Sequence, residues 1–290
     1  MKGPIFVVGG LDRFRSVSSD GLNWQATEFS DKGGPTCAGA AFGNGRCALL
    51  FKKGYYGKTE IEFSEDAENW DRSEIDAKQV GHSLIFYNSQ FIVCTGKTIN
   101  AGHKPKVLAT EDGESWTKEF SIPGRSIMTH YAEGNGRLVG IGPSGMAAST
   151  KNGTDWKGAD LSTAESMISL AFGNGFFVGG GLHGQVWRSP DGLKWEKTNS
   201  GKEGEHLNAT IWDGKRFLGI GLGATYLSPD GRSWDRVEND LAPLSAVRGP
   251  GGVLAGNQWK GRLLTSSDGI DWTDQKTFQR HIEVVAAGTL

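Results

Sequence analysis

Short apolar runs alternate along the whole chain with turns rich in glycine, asparagine and aspartate. The clearest unit has apolar runs at residues 166–172, 176–180 and 185–189, and a fourth run around 195–197. A Gly-Asn-Gly turn at 173–175 separates the first two runs, and a Pro-Asp-Gly turn at 190–192 separates the last two. Asn-Gly and Asp-Gly between apolar runs are strong hairpin signals. The pattern therefore predicts a four-stranded antiparallel meander.

The same unit recurs through all 290 residues with the signature Ser/Thr-x-Asp-Gly-x-x-Trp at its last turn. Its seven copies end at Trp24, Trp70, Trp116, Trp156, Trp195, Trp234 and Trp272. Six copies carry the aspartate, as Asp20, Asp66, Asp112, Asp191, Asp230 and Asp268. A spacing of 38 to 46 residues is typical of solenoids and propellers. One such sheet cannot bury both of its faces, so we predict an all-β, seven-bladed β-propeller that forms one domain over residues 1–290.

The two chain ends predict how the ring closes. The first repeat lacks an innermost strand, since the run at residues 5–9 aligns with second strands of other repeats. An extra apolar run at 282–288 follows the seventh tryptophan and aligns with first strands. We therefore expect the C-terminal strand to complete the N-terminal blade, which removes the exposed sheet edges of an open stack.

The repeated aspartates have two interpretations. In the structural one, the aspartate accepts backbone N–H bonds, the glycine takes a positive φ, and the tryptophan packs between blades. In the functional one, the aspartates bind metal or take part in catalysis. Two copies depart from the signature, with Ala67 in place of glycine and Asn152 in place of aspartate. Such departures favour the structural interpretation.

The Ser-x-Asp-Gly-x-x-Trp copies resemble the Asp-box, or BNR repeat, with one residue fewer between aspartate and tryptophan. Together with the Ala-Phe-Gly-Asn-Gly run at 171–175, they resemble bacterial sialidase-like propellers and are similar to photosystem-assembly-factor-like propellers. The resemblance covers essentially the whole chain and implies the scaffold. Propellers of this kind include hydrolases, lectin-like binders and assembly factors. The Arg-Ile-Pro element of sialidases does not occur here, and none of the five tyrosines has a sialidase context, so no sialidase active site is implied.

The composition limits which classes of partner the chain is expected to bind. A net charge of −2 and a pI near 6.3 provide no general attraction for nucleic acid or an anionic membrane. No apolar run has the length of a membrane span, and the first residues lack the apolar core of a signal peptide. We expect a cytoplasmic protein, or a mature secreted or periplasmic form without its leader. The three cysteines lie in apolar runs, where buried thiols are the usual outcome.

Candidate site residues concentrate on one face of the predicted ring, where loops between second and third strands meet the connections between blades. Histidines on this face suggest an axial channel that can hold a divalent metal or supply acid and base groups. The channel candidates are His82, His130, His206 and His281. By alignment, His206 and His281 occupy equivalent positions and His82 is offset by two residues. The alternative is that histidines simply gather in polar loops, and no His-x-His or His-Glu-x-x-His spacing is present.

Aromatic residues outside the repeat positions suggest a second kind of site on the same face. A ring exposed beside polar groups can stack on the apolar face of a sugar. The ligand-binding candidates are Tyr55, Tyr56, Trp259, Lys104, His103 and His183. The alternative is that these rings fold back onto the blade. Lysines are concentrated on blades two and three, whereas acidic residues lead into blades five to seven.

Three functions follow from these observations. The first is a non-catalytic binding or scaffold module that recognises carbohydrate or a protein partner. The second is a glycan hydrolase or lyase with a histidine-lined, metal-binding axial site and loop acids such as Asp76, Asp160 or Glu165. The third is a structural role in a larger complex. No paired nucleophile and base emerges from the sequence, which favours the binding module.

Overall fold

A computed structural model describes residues 2–25, 32–54, 58–75, 80–96, 104–116, 118–124, 126–159, 161 and 167–290. The chain begins with β1 (Pro4–Gly10) and β2 (Arg15–Ser18). Blade 2 contains β3 (Thr36–Gly43), β4 (Arg46–Lys52), β5 (Thr59–Ser64) and β6 (Asp71–Ile75). Blade 3 contains β7 (Gly81–Tyr87), β8 (Gln90–Thr95), β9 (Lys106–Thr110) and β10 (Lys118–Ser121). Blade 4 contains β11 (His130–Gly134), β12 (Arg137–Gly142), β13 (Met146–Thr150) and β14 (Lys157–Gly158).

The second half of the chain repeats this order. Blade 5 contains β15 (Met167–Gly173), β16 (Phe176–Gly181), β17 (Val186–Ser189) and β18 (Glu196–Asn199). Blade 6 contains β19 (Leu207–Trp212), β20 (Phe217–Gly221), β21 (Gly223–Ser228) and β22 (Asp235–Asn239). Blade 7 contains β23 (Ser245–Arg248), β24 (Leu254–Gln258), β25 (Arg262–Ser266) and β26 (Thr273–Thr277), and β27 (Ile282–Thr289) comes last. Short 3-10 helices lie at Leu11–Arg13, Leu182–Gly184, Pro250–Gly252 and Trp259–Gly261.

The predicted ring closure is confirmed. β27 pairs antiparallel with β1, and the register joins Pro4 to Thr289 at one end of the two strands. Beyond them, Gly3 and Leu290 exchange two backbone hydrogen bonds of 3.1 Å each. Blade 1 therefore consists of β27, β1 and β2 within the described residues, and blades 2 to 7 each have four antiparallel strands. The seven-bladed propeller predicted from the repeats is the observed fold.

The core lies between the blades. The first strands of successive blades contact one another around the ring, so they are the innermost strands. In the described part of the chain, seven clusters of buried side chains each join two neighbouring blades. The repeat tryptophan of each blade packs in or against the cluster shared with the preceding blade; Trp272, for example, packs with Leu218 and Ile220 of blade 6. Burial of apolar surface between sheets thus holds the ring together.

Strand bounds differ slightly from those predicted, by one or two residues at the ends of the blade 5 strands. We call the face with the first-to-second and third-to-fourth strand turns the lower face. The face with the second-to-third strand loops and the connections between blades is the upper face.

Candidate functional site

The lower face is built from the repeat turns. In the first copy, Asp20 Oδ1 accepts the amide N–H groups of Leu22 and Asn23 at 2.8 and 2.7 Å. Ser18 Oγ accepts from the amide of Gly21 at 2.9 Å, and Trp24 Nε1 donates to the Gly21 carbonyl at 3.0 Å. These donors, above all the Asn23 amide, hold the pKa of Asp20 well below its usual range. The carboxylate of the aspartate therefore accepts hydrogen bonds from its own turn.

The other copies have the same geometry. The aspartate or asparagine oxygen accepts two amides in each of the remaining turns, at Asp66, Asp112, Asn152, Asp191, Asp230 and Asp268. The glycine position requires the left-handed region: Gly192 has φ +71°, and a Cβ there would lie 2.3 Å from Val139 of the preceding blade. Ala67 adopts φ 62° in the second copy.

Neighbouring blades are also bonded to each other on this face. Asn135 Nδ2 donates to the carbonyls of Gly175 and Pro190 in the next blade, at 2.9 and 3.0 Å. Asn174 Nδ2 makes the same bond to Pro229 at 3.2 Å, and Arg188 Nε donates to the Asp230 carbonyl at 2.8 Å. The polar groups of the lower face are thus largely used by the scaffold.

Two clefts border the repeat turns. One, of about 360 Å³, lies between blade 1 and the turn of blade 2, where Arg15 stands over the Trp70 ring at 5.1 Å. The other, of about 300 Å³, lies between the turns of blades 2 and 3 and contains Arg46, which donates to the Asp112 carbonyl at 2.8 Å. Both border repeat turns, and none of the upper-face candidates that the structure describes lines them.

The upper face presents large apolar side chains to solvent. Among the described residues, four large hydrophobic side chains are exposed, and three of these are Leu11, Leu222 and Trp259, at 37, 59 and 63%. The fourth, Leu22, belongs to a lower-face turn. The three occupy the same repeat position, directly after the second strand of blades 1, 6 and 7. Because blade 7 adjoins both blade 1 and blade 6, they form one arc, which we call the apolar arc.

Trp259 is held in a defined orientation. Its indole lies parallel to the His281 imidazole, with ring centroids 5.4 Å apart and an interplanar angle of 8°. The Gln258 side chain accepts from the Trp259 amide at 2.8 Å and donates to the Ala242 carbonyl at 2.6 Å. The ring is therefore exposed but supported by the connections on either side of blade 7.

His183 and His206 form a second pair on this face. Their ring centroids are 4.9 Å apart at an angle of 71°. His206 Nδ1 accepts from the His183 amide at 3.1 Å, and His183 Nδ1 accepts from the Gly204 amide at 3.2 Å. A neutral imidazole that accepts through Nδ1 carries its proton on Nε2. Metal binding through Nε2 needs the opposite tautomer, so this pair is arranged for backbone bonding.

His82 and His130 bond within their own blades. His82 Nε2 lies 2.8 Å from the Gly96 carbonyl, and burial together with Lys52 lowers the pKa of His82. His130 Nδ1 lies 2.9 Å from Thr129 Oγ1, and burial lowers the pKa of His130 to about 4. Within the described ranges, no three or more His, Cys, Asp or Glu side chains are placed to hold a metal ion. The structure thus pairs His183 with His206 and His281 with Trp259, while His82 and His130 bond separately.

Several candidates lie outside the described residues, namely Tyr55, Tyr56, His103, Asp76, Asp160 and Glu165. Lys104 is exposed just before β9 of blade 3. The three cysteines are buried free thiols.

One buried carboxylate was not expected. Glu205, 6% exposed, lies in the connection into blade 6 and accepts from Tyr226 Oη at 2.6 Å. The Arg236 guanidinium donates to both Glu205 oxygens and is the main cause that lowers the pKa of Glu205 to about 2. The partners are 21 and 31 residues away in sequence, so no local motif marks them. This ion pair fixes the C-terminal end of the connection.

A larger ion cluster links blades 1 and 2. Arg13 Nη1 and Arg15 Nη1 donate to the two oxygens of Glu62 at 2.7 and 2.9 Å, and Arg72 Nε adds a third bond at 2.9 Å. Glu62 is fully enclosed, and Arg13 also bonds Glu60. Three guanidinium groups on one buried carboxylate satisfy its charge, so the cluster serves the junction between blades.

Comparison with known proteins extends the fold assignment. No protein-family model matches the chain, and no curated protein matches it. Among solved structures, it is similar to YCF48 bound to D1 peptide, with 13% identity, a TM-score of 0.60, and coverage of 79% of this chain and 76% of that one. YCF48 from Cyanidioschyzon merolae gives 12% identity, a TM-score of 0.60 and coverage of 93 and 89%. Apo AztD from Citrobacter koseri gives 12% identity, a TM-score of 0.54 and coverage of 99 and 98%.

At these identities the similarity concerns the fold. The chain is a β-propeller with seven blades, and its scaffold is shared with solved propellers from different sources. No helix in the described ranges is both long and apolar enough to cross a membrane.

Proposed function

We propose that the chain is a non-catalytic binding module that takes up a segment of a protein partner on its upper face. The observation that carries this proposal is Trp259, a large ring that is 63% exposed yet held by stacking on His281. An exposed ring that is already oriented loses little conformational freedom when a partner covers it, and tryptophan is enriched among the residues that dominate binding energy.

The apolar arc extends this surface. Leu222 and Leu11 lie at the equivalent positions of the blades on either side of Trp259. Large apolar side chains exposed on one face of a protein are typical of protein-interaction sites. The fold supports the proposal as well, because one similar propeller, YCF48, is described as bound to a D1 peptide.

The test is selection of binding peptides from a displayed random library, followed by fluorescence anisotropy with the selected peptides. We expect Trp259→Ala to weaken binding at least about tenfold, as for a central anchor residue, and Leu222→Ala to weaken it less. Leu22→Ala is the matched control, because it removes an exposed leucine from the lower face. Peptides that bind Trp259→Ala as tightly as the wild type, or a library that yields no binder, would overturn the proposal.

Carbohydrate binding is a second candidate, favoured by the same ring. Lys260 directly follows the exposed indole in sequence, and its ammonium group can donate to sugar hydroxyls while the ring stacks on the sugar. A panel of oligosaccharides in a thermal-shift assay separates the two functions, since a ligand that binds only the native state raises the melting temperature. A rise that disappears in Trp259→Ala supports sugar binding, and no rise with any sugar rejects it.

A further inference from the structure

Three upper-face turns share one backbone conformation. The 3-10 helices Leu11–Arg13, Leu182–Gly184 and Trp259–Gly261 each have a left-handed middle residue: Asp12 (φ 57°, ψ 37°), His183 (55°, 34°) and Lys260 (62°, 31°). In blade 1, Asp12 Oδ1 accepts from the amide of Gly33 at 2.9 Å. In blade 5, His183 Nδ1 accepts from the amide of Gly204 at 3.2 Å. Both amides lie 21 residues downstream, in the connection to the next blade.

The side chain at this position therefore fastens the following connection. Blade 7 carries Lys260 there, and an ammonium group has no acceptor. Blade 5 differs from blade 1 because its acceptor is an imidazole, and because a second imidazole extends the contact. His206 Nδ1 accepts the amide of His183 itself. Two backbone N–H groups thus depend on the lone pairs of two histidines.

Protonation removes both acceptors. An imidazolium carries hydrogen on Nδ1 and on Nε2, so neither nitrogen can accept an amide N–H. His183 Nδ1 also lies 3.2 Å from a carboxylate oxygen of Glu203, the residue adjacent to Gly204. A protonated His183 can donate to Glu203 in place of accepting from Gly204. The same loop thus offers one partner for the neutral ring and another for the charged ring.

The next carboxylate along the connection, Glu205, already has its own partners. Glu205 has a pKa of about 2 and stays ionised, held by Arg236 and Tyr226, while Lys202 Nζ lies 3.6 Å from the same carboxylate. Histidine is the side chain whose ordinary pKa, near 6.5, falls between pH 5 and pH 8. The contact between the two blades is accordingly sensitive to the protonation of His183 and His206.

We propose that His183 and His206 form an acid-released latch on the connection between blades 5 and 6. At neutral pH, the two imidazoles hold residues 200–204 against the blade 5 turn; in acid, these bonds open and the segment loosens. Its ends stay fixed, since Asn199 Nδ2 donates to the Gly184 carbonyl at 2.9 Å and Glu205 keeps its ion pair. The latch regulates the connection into blade 6 on the upper face, and it stands on its own contacts whether or not a peptide binds to that face.

Hydrogen–deuterium exchange at pH 7.5 and pH 5.5, with exchange times corrected for the intrinsic rate, measures the latch directly. We expect the protection of the Gly204 amide to fall about fivefold or more at pH 5.5, which corresponds to the loss of one net hydrogen bond. The Gly33 amide is the internal control: its acceptor is a carboxylate, so its protection should not change. Unchanged protection of Gly204 across this range would overturn the proposal.

The matched variant is His183→Asn, which retains an acceptor near the position of Nδ1 and tolerates the left-handed region. It should keep the protection of Gly204 at both pH values, as Asp12 does for Gly33. Equal loss of protection in this variant and in the wild type at pH 5.5 would contradict the latch. Nitrogen-detected NMR of the wild-type rings at pH 7.5 provides a test without mutation: both should carry the proton on Nε2, and a proton on Nδ1 would reject the mechanism.

Discussion

The lower and upper faces of the ring come from the same seven repeats but use their polar groups in opposite ways. On the lower face, the turn aspartates accept their own amides, and asparagines such as Asn135 bond the next blade. On the upper face, loops of different sequence leave Trp259 and Leu222 exposed, and a few side-chain contacts hold the connections. The repeated residues thus serve the scaffold, while the residues that vary between repeats are free for binding.

The largest effect is expected when the ring is opened, because both faces depend on the closed ring. Deletion of residues 280–290 removes β27, which buries Ile282 and Val285 between blades 7 and 1. We expect a protein without a cooperative thermal transition, because β1 then has an unpaired edge and the clusters shared with blades 2 and 7 lose the apolar side chains of β27. Adding a synthetic peptide of residues 280–290 should restore the transition, whereas a scrambled peptide should not. A truncated chain that melts as the full chain does would refute closure by β27.

A pair of tryptophans in one blade sharpens the comparison. Trp272 is 7% exposed and donates to the Gly269 carbonyl at 3.2 Å, whereas Trp259 belongs to the upper face. Trp272→Ala should cost about 4 kcal/mol of unfolding free energy, because it leaves a cavity between blades 6 and 7. Trp259→Ala should cost less than about 0.5 kcal/mol. Urea denaturation measures both values, and similar losses in the two variants would contradict the division between faces.

The Glu205 ion pair tests whether the upper face has fixed points. Glu205→Gln should cost about 2 kcal/mol at neutral pH, because Arg236 and Tyr226 lose a buried charged acceptor. Glu238→Gln is the control on the same arginine, and since Glu238 is exposed its loss should be below about 0.5 kcal/mol. Equal losses of unfolding free energy in the two variants would show that the burial of Glu205 does not affect stability.

This ion pair also has a defined pH dependence. The pKa of Glu205 falls to about 2 in the folded protein, below the ordinary glutamate value near 4.3. Its contribution is therefore complete above about pH 5 and is lost as the pH falls towards 2. The stability difference between wild type and Glu205→Gln should shrink over that range, as urea melts at each pH would show. A difference that is constant down to pH 2 would contradict the low pKa.

The smallest effect is expected for a repeat aspartate replaced by asparagine. Asp230 accepts the amides of Arg232 and Ser233, and the first of these bonds is the main cause of its lowered pKa. Asn152 makes the same two bonds in blade 4, so Asp230→Asn should change stability at pH 7 by less than about 0.5 kcal/mol. Asp230→Ala, which has no acceptor, should cost about 1 kcal/mol.

The pH dependence of stability provides a second test of Asp230. Because the pKa of Asp230 is lowered by folding, its ionised form adds stability above the ordinary aspartate pKa near 3.9, and this contribution is lost as the pH falls further. Asp230→Asn should therefore lose less stability than the wild type between pH 5 and pH 2. If wild type and Asp230→Asn lost the same stability over that range, the charge of the carboxylate would have no role.

The sequence was sufficient to predict the fold because propeller blades are local. Each hairpin is specified by a short turn such as 173–175, and the spacing of the tryptophans counts the blades. The long-range pairing of β27 with β1 was predictable as well, since a surplus strand at one end matched a missing strand at the other. Trp212 aligns with Phe42, Phe86 and Phe172 of other repeats, which indicates a core position, and in the structure it packs on Phe217 with ring centroids 4.7 Å apart.

The site was predictable only in part. Trp259 stood out because it lies off the repeat positions, but its support by His281 depends on how a blade 7 loop approaches the next connection. Leu11 and Leu222 were missed, although their shared position directly after a second strand is visible in the aligned repeats. The contact of His183 with His206, and that of Glu205 with Arg236, join different strands and loops, so they require the three-dimensional arrangement.

The antiparallel pairing of Gly3 with Leu290 has a practical consequence for topology. The two ends occupy the place that a Gly-Asn-Gly turn fills in other blades, on the lower face. A short glycine linker between them would create a circular chain, and new ends could be cut in any upper-face loop of choice. In the native order, a tether or surface attachment at either end would leave Trp259 and its neighbours directed away from the support.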